Sequence, residues 1–335
     1  MRVRALFAVP ALALVATIAP GCGGDDAVLT IYSGREFALI SPILERFSEE
    51  TGIGIEVRDG TTADLALQIE AEGDNSPADI FLSQSPGAVG FLDAQGRLAA
   101  LPDDVLRAVA EEDRAPDGHW VGVTGRVRTL VFSTEAFTDD ELPGSVLDLV
   151  GDERFRGQLG IAPGNASFQD FVTGLRAELG DDTALEYLEG LAALEPEIFP
   201  NNVAILEAVN RGEITAGLIN HYYWFEAAVE DPDQPSALHF FDDGDLGSMM
   251  LITAASVLET TDNAEDANRL VRFLLEEEAQ TYFAEETLEY PLAAGVAPAE
   301  GLFPLGDIVS SRVSFAELGE LDSTIQLIAD SGLSG

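Results

Sequence analysis

Residues 121–133 read VGVTGRVRTLVFS, a continuous run that favours β-structure. This stretch predicts one strand that passes from one lobe of the protein to another. Residues 249–257 read MMLITAASV and predict a second strand that makes the return crossing. Two crossings divide the chain into two discontinuous lobes, which are joined by a hinge and separated by a cleft.

On the N-terminal side of this stretch, short apolar strands alternate with segments of helical periodicity. Strands are predicted at Ala27–Tyr32, Ile53–Val57 and Ala78–Leu82. Helices are predicted at Glu36–Glu50, Thr61–Glu72 (capped by Thr61 or Thr62) and Gly87–Gln95. Such βαβ units predict a parallel sheet that is covered on both faces. Ligands bind beyond the carboxyl ends of such strands, which here are Ser33–Glu36, Asp59–Thr62 and Ser83–Pro86.

A second α/β lobe follows on the C-terminal side. Its predicted elements are strand Gln158–Ile161, helices Ser167–Leu179, Asp182–Leu194 and Val203–Arg211, and strand Ile214–Ile219. A helix at Ala264–Glu277 follows the return crossing, and the tail Asp307–Ser334 has an interrupted helical pattern. The predicted fold is α/β with two lobes, each a mainly parallel sheet with helices on both faces. Residues 27–127 and 253–300 form the N-terminal lobe, and residues 128–252 and 301–335 form the C-terminal lobe.

The composition restricts the class of protein. A chain of 335 residues with 46% hydrophobic residues is globular and suits two lobes. Its net charge of −43, with arginine as the only strongly basic residue type, excludes nucleic acid and anionic lipid as electrostatic partners. This acidity is typical of a highly solvated, salt-adapted surface. It also attracts cations, but a net charge does not locate a site.

The N-terminus resembles a bacterial lipoprotein signal. Residues 1–4 are basic, residues 5–19 are apolar, and the only cysteine, Cys22, follows small residues. We therefore expect a signal peptide at 1–21, a lipidated Cys22 and a flexible tether at 22–26. Ala19 and Pro20 depart from the usual lipobox. Ordinary secretion with an incidental cysteine is the alternative.

No motif indicates catalysis, so the chain is predicted not to be an enzyme. A phosphate-binding loop with lysine is excluded because the chain has no lysine. The three histidines, His119, His221 and His239, do not have the spacing of a zinc site. No Gly-x-Ser-x-Gly motif is present, although spacing alone leaves a Ser/His/Asp triad open.

Residues 218–224 read LINHYYW and carry the most distinctive chemistry. Tyr222 and Tyr223 follow a buried strand and are flanked by the amide of Asn220 and the imidazole of His221. A hard, highly charged cation can displace a phenol proton, and tyrosinate is a known ligand of ferric iron. The alternative is a pair of half-buried aromatic rings that pack in the cleft between the lobes.

Two further features suit an anion. The turn at residues 163–168 (PGNASF) precedes a helix, where free N–H groups and the helix dipole attract negative charge. An ordinary Asn or Ser N-cap is the alternative. Arg126 could support an anion or a carboxylate in the cleft, although a surface salt bridge is equally consistent with the sequence.

In addition, the chain resembles the ferric iron-binding periplasmic proteins, which are the substrate-binding components of ABC iron importers. The segments that carry the resemblance span nearly the whole mature chain: Ile31–Glu36 (IYSGRE), Ser76–Phe81 (SPADIF), Thr124–Arg126 (TGR), Asn220–Trp224 (NHYYW) and Glu289–Leu292 (EYPL). The Asn-x-Tyr-Tyr-Trp segment is the most specific of them.

The resemblance implies a two-lobed clamp that holds ferric iron through Tyr222, Tyr223 and residues of the opposite lobe. A synergistic anion, phosphate or carbonate, would complete the coordination. The residues implied for this anion are Asn165, Ala166, Ser167, Asn202 and Asn220, with Arg126 as a further candidate.

The chain also departs from the family's pattern. Glu36 stands where the family usually has its iron-binding histidine, Gln84 where it has a glutamate, and Phe168 or Phe37 where some relatives have another tyrosine. Two tyrosinates and Glu36 still supply three negative charges. Our hypothesis is that Glu36 has taken over the carboxylate role and that Gln84 is peripheral, because a carboxylate suits a hard cation.

The function expected is that of a monomeric lipoprotein on the outer face of a bacterial cytoplasmic membrane. It would capture ferric iron and deliver it to an ABC permease and its ATPase. One alternative is the same clamp with a different ligand, an organic anion or a ferric chelate. A secreted hydrolase with two cleft carboxylates and a receptor-linked sensor domain are the others.

Overall fold

The computed structural model describes residues 28–84, 86–299, 302 and 321–333. The predicted signal peptide, Cys22 and the tether lie outside the described residues, as does most of the predicted helical tail. Within the described ranges, no helix combines the length and apolar character that crossing a bilayer requires.

The elements follow the predicted order. The strands are β1 (Val28–Ser33), β2 (Gly54–Asp59), β3 (Ile80–Ser83), β4 (Val121–Ser133), β5 (Leu159–Ile161), β6 (Glu197–Ile198), β7 (Ala216–Asn220), β8 (Ser236–His239), β9 (Met250–Val257) and β10 (Tyr290–Pro291). The helices are α1 (Phe37–Thr51), α2 (Thr62–Glu72), α3 (Pro86–Ala94), α4 (Asp103–Leu106), α5 (Ala166–Leu179), α6 (Asp181–Ala193), α7 (Asn202–Asn210), α8 (His221–Glu230), α9 (Ala264–Leu274), α10 (Glu277–Glu285) and α11 (Leu321–Asp330). Thr61 caps α2 by accepting from the Asp64 N–H.

Strand β4 connects the two halves of the structure, as predicted. All 13 of its residues are buried. Up to Val127 it pairs with β9, and from Arg128 onward it pairs with β7 and β8. The first half of β4 therefore pairs within the N-terminal lobe, and the second half pairs within the C-terminal lobe. We keep the boundaries at 127/128 and 252/253 as our proposed division of the chain.

The parallel pairing predicted for each lobe is confirmed, but the crossing strands run antiparallel to it. β1 pairs in parallel with β2 and β3, and β5 pairs in parallel with β6 and β7. β9 is antiparallel to β3 and to β4, and β4 is antiparallel to β7. A strand that leaves one lobe and a strand that returns must run in opposite directions, so the linked sheet is mixed.

Each lobe has apolar layers on both faces of its sheet. In the N-terminal lobe, Ile31 and Tyr32 are neighbours on β1 but belong to different core clusters. In the C-terminal lobe, Leu130 and Val131 are neighbours on β4 and also belong to different core clusters. Successive side chains of a strand point to opposite faces, so these pairs show that both faces are covered. Ile328 of α11 joins the C-terminal core.

The predicted helix Ala264–Glu277 is wrong at its end, because α9 stops at Leu274. The Gln280 side chain of α10 donates to the Leu274 carbonyl at 2.8 Å and satisfies the last turn. Helix α10 then starts at Glu277 and buries its own apolar face. The predicted helix therefore extended three residues too far, from Leu274 to Glu277.

Candidate ligand-binding cleft

Close backbone contacts hold the strand ends of the N-terminal lobe together. A Cβ atom on Gly34 would lie 1.9 Å from Thr62 Oγ1, so only glycine allows this approach. The Gly34 N–H donates to the Leu82 carbonyl at 2.8 Å, and the Gln84 N–H donates to Thr62 Oγ1 at 3.3 Å. These contacts bring Gln84 and the exposed Glu36, which precedes α1, to the same edge of the sheet.

The tyrosine pair lies in the first turn of α8, whereas the sequence suggested the end of a strand. β7 ends at Asn220 and α8 begins at His221, so both tyrosines occupy a helix N-terminus. Their ring centroids are 4.1 Å apart and the planes are inclined by 31°. Tyr222 is buried and Tyr223 is half-buried.

Both phenols are protonated at neutral pH. Burial raises the pKa of Tyr222 well above its ordinary value of about 10, and Tyr223 raises it further, while Arg126 lowers it. Burial also raises the pKa of Tyr223, where Glu36 and Glu226 add to the effect and Tyr222 and Arg126 oppose it. A cation bound by this pair must therefore displace two protons.

His221 does not offer a free nitrogen to the cleft. Its Nδ1 accepts from the Val127 N–H at 3.1 Å, and its Nε2 lies 3.1 Å from the Leu288 carbonyl, to which it donates. Its ring stacks on Tyr290 with a centroid distance of 4.9 Å. The imidazole that the sequence placed beside the tyrosines therefore ties α8 to β4 and to the segment before β10.

We expect His221 to remain neutral down to acidic pH. Burial lowers its pKa to about 4, since an imidazolium at this site would lose its solvation. The unfolded chain binds this proton near pH 6.5, so the contribution of His221 to stability is complete above that pH and is lost between about 6.5 and 4. NMR titration of the His221 ring measures this directly, and a midpoint near 6.5 would contradict it.

Arg126 belongs to a buried charge network, so the surface salt bridge considered for it is wrong. Its Nη2 donates to the Gln84 carbonyl, and its Nε lies 3.9 Å from Glu289 Oε1. Arg35 forms a bidentate ion pair with Glu289, in which Nη1 lies 2.8 Å from Oε1 and Nη2 lies 2.6 Å from Oε2. Burial raises the pKa of Glu289, but the two arginines outweigh it and the net shift is downward.

The predicted anion residues converge in one cluster around Arg128, which we call the Arg128 cluster. Arg128 Nη1 donates to Ser167 Oγ at 3.1 Å, to Asn202 Oδ1 at 3.2 Å and to Asn220 Oδ1 at 3.1 Å. Asn165 Oδ1 accepts from the Ser167 N–H at 3.0 Å. Asn165 is therefore an N-cap, as the alternative interpretation held, and a member of the cluster as well.

Three helices begin at the Arg128 cluster, and their N-termini add positive charge to it. Asn165 caps α5, which starts at Ala166; Asn202 opens α7; and Asn220 precedes α8. Helix N-termini carry partial positive charge, and a buried guanidinium adds to it. Burial lowers the pKa of Arg128 to about 10, although Asp170 raises it, so Arg128 stays charged at neutral pH.

Arg128 was not identified from the sequence as a member of this cluster. The position of Arg128 within 121–133 could have indicated its role, because residues two apart on a strand share a face. Arg126 and Arg128 therefore had to point to the same side of β4.

Another group of possible ligands lies away from the tyrosines. Asp93, Asp117 and His119 place ligand atoms within 4.8 Å of one another. Asp93 stands near the end of α3, remote from the strand edge at Gln84. His119 Nδ1 already contacts Asp93 Oδ1 at 2.6 Å.

Comparison with known proteins identifies the class. A family model described as a bacterial extracellular solute-binding protein matches residues 75–301, and another with that description matches residues 29–115. The major ferric iron-binding protein of Neisseria meningitidis is 30% identical over 92% of this chain and 93% of that protein. The Fe(3+)-binding periplasmic protein of Serratia marcescens is 27% identical over 99% of both chains. The crystal structure of iron-bound HitA from Pseudomonas aeruginosa has a TM-score of 0.86 and 32% identity, over 91% of this chain and 99% of that one.

The two linked α/β halves and the family model define a solute-binding protein of the extracytoplasmic kind. The chain belongs to the bacterial extracellular solute-binding proteins, in the group of the ferric iron-binding periplasmic proteins. The family resemblance and the two-lobed periplasmic-binding-protein fold predicted from the sequence are confirmed. The three relatives described above are named for binding iron and not for catalysis.

Proposed function

We propose that this chain captures ferric iron in the cleft and delivers it to an ABC importer. Tyr222 and Tyr223 would bind the ion from the C-terminal lobe, and Glu36 would bind it from the N-terminal lobe. Iron is the cargo, and lobe closure around it would complete the ligand set. Gln84 is peripheral in this proposal, because its backbone contacts Arg126 and Thr62 while its side chain is a neutral amide.

The observation that carries this proposal is the paired phenols at the start of α8. Their ring centroids lie 4.1 Å apart, and the charge of Glu36 contributes to the raised pKa of Tyr223, which supports a role for that carboxylate beside the pair. Phenolate and carboxylate oxygens are hard donors, which suit a hard trivalent cation better than a divalent one. The names of the relatives, which refer to ferric iron, support the same cargo.

We propose that the Arg128 cluster holds a synergistic anion, phosphate or carbonate. The three partners of Arg128 Nη1 are neutral oxygens, and the N-terminus of α8 receives no side-chain cap from Asn220. A small anion would accept from the N–H of Ala166, because the Ser167 N–H already donates to Asn165 Oδ1, and it would balance the guanidinium. Arg126, whose charge acts on both tyrosines, would lie on the other side of the ion.

We further propose that the chain is a monomeric lipoprotein, anchored through Cys22 to the outer face of the cytoplasmic membrane. The N-terminal sequence and the family support this location. Its partners would be an ABC permease and its ATPase. The tether at 22–26 would allow the lobes to reach the permease.

The test is a titration of the iron-free protein with ferric citrate, followed by visible absorption. Tyrosinate bound to ferric iron gives a charge-transfer band, so we expect a new band that saturates at one iron per chain. Phosphate or carbonate should sharpen the titration by completing the coordination. If no band appears with or without either anion, ferric iron is not held by the tyrosines and the proposal fails.

An organic anion or a ferric chelate is the second candidate ligand. The positive charge of the Arg128 cluster favours it, because that cluster would bind a carboxylate or phosphate group without iron. Calorimetric titration of the iron-free protein with citrate or phosphate distinguishes this candidate ligand from ferric iron. Tight binding of the anion alone, together with no visible band on adding iron, would support this candidate.

Iron affinity should fall steeply as the pH is lowered. Both phenols hold their protons at neutral pH because burial raises their pKa values, so each bound ion releases two protons. The apparent binding constant should then decrease by about two orders of magnitude per pH unit. Titrations at several pH values measure this, with protein-free ferric citrate as the control. A binding constant that does not change with pH would contradict tyrosinate ligation.

A further inference from the structure

Residues 287–290, which we call the 287–290 segment, connect α10 to β10 through a tightly held turn. The Glu289 N–H donates to the Phe283 carbonyl at 3.1 Å, and Thr287 Oγ1 donates to the same carbonyl at 2.8 Å. Leu288 has a φ of 53°, in the left-handed region that favours glycine. A leucine keeps this conformation only where the surrounding contacts fix it, so the 287–290 segment has a defined shape.

On one side, Glu289 connects the ends of β1 and β3. Arg35, which directly precedes the proposed ligand Glu36, pairs with both carboxylate oxygens of Glu289, at 2.8 and 2.6 Å. Arg126 lies beside the same carboxylate, with its Nε 3.9 Å from Oε1, and it donates to the Gln84 carbonyl through Nη2. One buried carboxylate therefore lies between the two guanidinium groups that hold the segments at Glu36 and Gln84.

On its other side, the 287–290 segment contacts the helix that carries the tyrosine pair. The Leu288 carbonyl accepts from His221 Nε2 at 3.1 Å, and the Tyr290 ring stacks on the His221 ring at a centroid distance of 4.9 Å. His221 is the first residue of α8 and directly precedes Tyr222. The segment therefore contacts the sequence neighbour of a proposed ligand in both halves of the site.

Glu36 depends on its neighbour for its position. It is exposed, and its side chain makes no capping hydrogen bond at the start of α1. Arg35, in contrast, is buried, and its bidentate pair with Glu289 fixes the orientation of both partners, because two parallel hydrogen bonds allow little rotation. Residues that orient metal ligands contribute to metal affinity without touching the metal.

We propose that Glu289 is a positioning residue for ferric iron, which acts through Arg35 to place the carboxylate of Glu36. This inference rests on the proposed function and assigns a role to a residue that would not contact the ion, since both of its oxygens face Arg35. The contacts of Leu288 and Tyr290 with α8 hold the same segment against the helix of the phenols. The separation between the phenols and Glu36 is thereby defined before iron arrives.

The test is a double-mutant cycle of Glu289→Gln and Glu36→Gln, with iron affinity measured by competition with citrate. We expect Glu289→Gln to weaken iron binding by about 10–100-fold, because the amide cannot balance two guanidinium groups and Arg35 loses its fixed orientation. When Glu36 is already changed, Glu289→Gln should weaken binding by about twofold at most, because its effect passes through Glu36. The visible band of Glu289→Gln should shift in the same direction as that of Glu36→Gln, since the same ligand is lost.

Asp79→Asn is the matched control for the loss of stability. Asp79 is buried and precedes β3, at the end of that strand opposite Gln84. Its carboxylate accepts from the Thr30 N–H at 2.8 Å and from Asn263 Nδ2 at 3.1 Å. Asp79→Asn should therefore lower Tm and leave the iron affinity and the band unchanged, when all titrations are made well below the lowest Tm.

Each outcome distinguishes the inference from the proposed function. If the wild type shows the band and Glu289→Gln binds iron as tightly as Asp79→Asn, the role of Glu289 is wrong and the proposed function stands. An equal loss of affinity with and without Glu36→Gln leads to the same conclusion, because Glu289 would then act independently of Glu36. If the wild type shows no band, both fail. If Glu289→Gln does not fold, Arg35→Lys replaces it in the cycle with the same expected result, since lysine keeps the charge and loses the bidentate geometry.

Discussion

Replacing Tyr222 or Tyr223 with phenylalanine is expected to abolish tight iron binding. Each change removes one anionic oxygen from the proposed ligand set and leaves the ring in place. Loss of a supporting group next to a metal costs about 10–100-fold in affinity, so loss of a ligand should cost at least about 100-fold. Equilibrium competition with citrate measures the affinity, and the visible band should lose intensity in either variant and vanish when both are changed.

Tyr290→Phe is the matched control for these variants. Tyr290 is buried and stacks on His221, next to the pair. Its hydroxyl has no hydrogen-bond partner among the described residues, so its removal should change neither the fold nor the affinity. If Tyr290→Phe and Tyr222→Phe reduce binding equally, the tyrosine pair acts through packing and the ligand assignment is wrong.

Glu289→Gln is expected to cause the largest loss of stability. Glu289 is fully buried between Arg35 and Arg126, so the neutral variant leaves two buried guanidinium groups without their carboxylate. Breaking a buried ion pair from one side costs about 3–5 kcal/mol. For a protein of this size that loss lowers Tm by roughly 10 °C, which thermal unfolding followed by circular dichroism measures.

Glu278→Gln serves as the control because it breaks an exposed ion pair on α10. Glu278 lies 3.5 Å from Arg46, and both side chains are about half exposed. Exposed pairs contribute about 0–1 kcal/mol, so Tm should barely change. Equal shifts in Tm for the two variants would show that burial does not determine how much the Arg35–Glu289 ion pair contributes to the stability of the protein.

Much of the fold could be predicted because its signals are local. The thirteen buried residues of β4 were recognisable from 121–133 alone, and the βαβ order follows from the alternation of strand and helix patterns. The tyrosine pair was also visible in the sequence. The antiparallel crossings and the break between α9 and α10 were not, because each depends on contacts with a distant element, such as Gln280 on the Leu274 carbonyl.

The candidate site could be predicted in part. The structure does bring together the residues at 165–167, Asn202 and Asn220. Arg128 connects them through its hydrogen bonds, and their spacing in the sequence does not reveal this connection. His221 was expected to flank the tyrosines, but its neighbours in sequence say nothing about its two backbone partners. Those partners, Val127 and Leu288, are 94 and 67 residues away.

The sequence by itself determined the order of the elements, the two crossings and the paired phenols, because periodicity and adjacency act within a few residues. The tertiary structure alone decided which side chains are buried together and what charge they carry. Arg35 and Glu289 are 254 residues apart and become one buried ion pair only when the strands align. Burial then raises the pKa values of the tyrosines, and this effect of desolvation depends on every atom that excludes water from them.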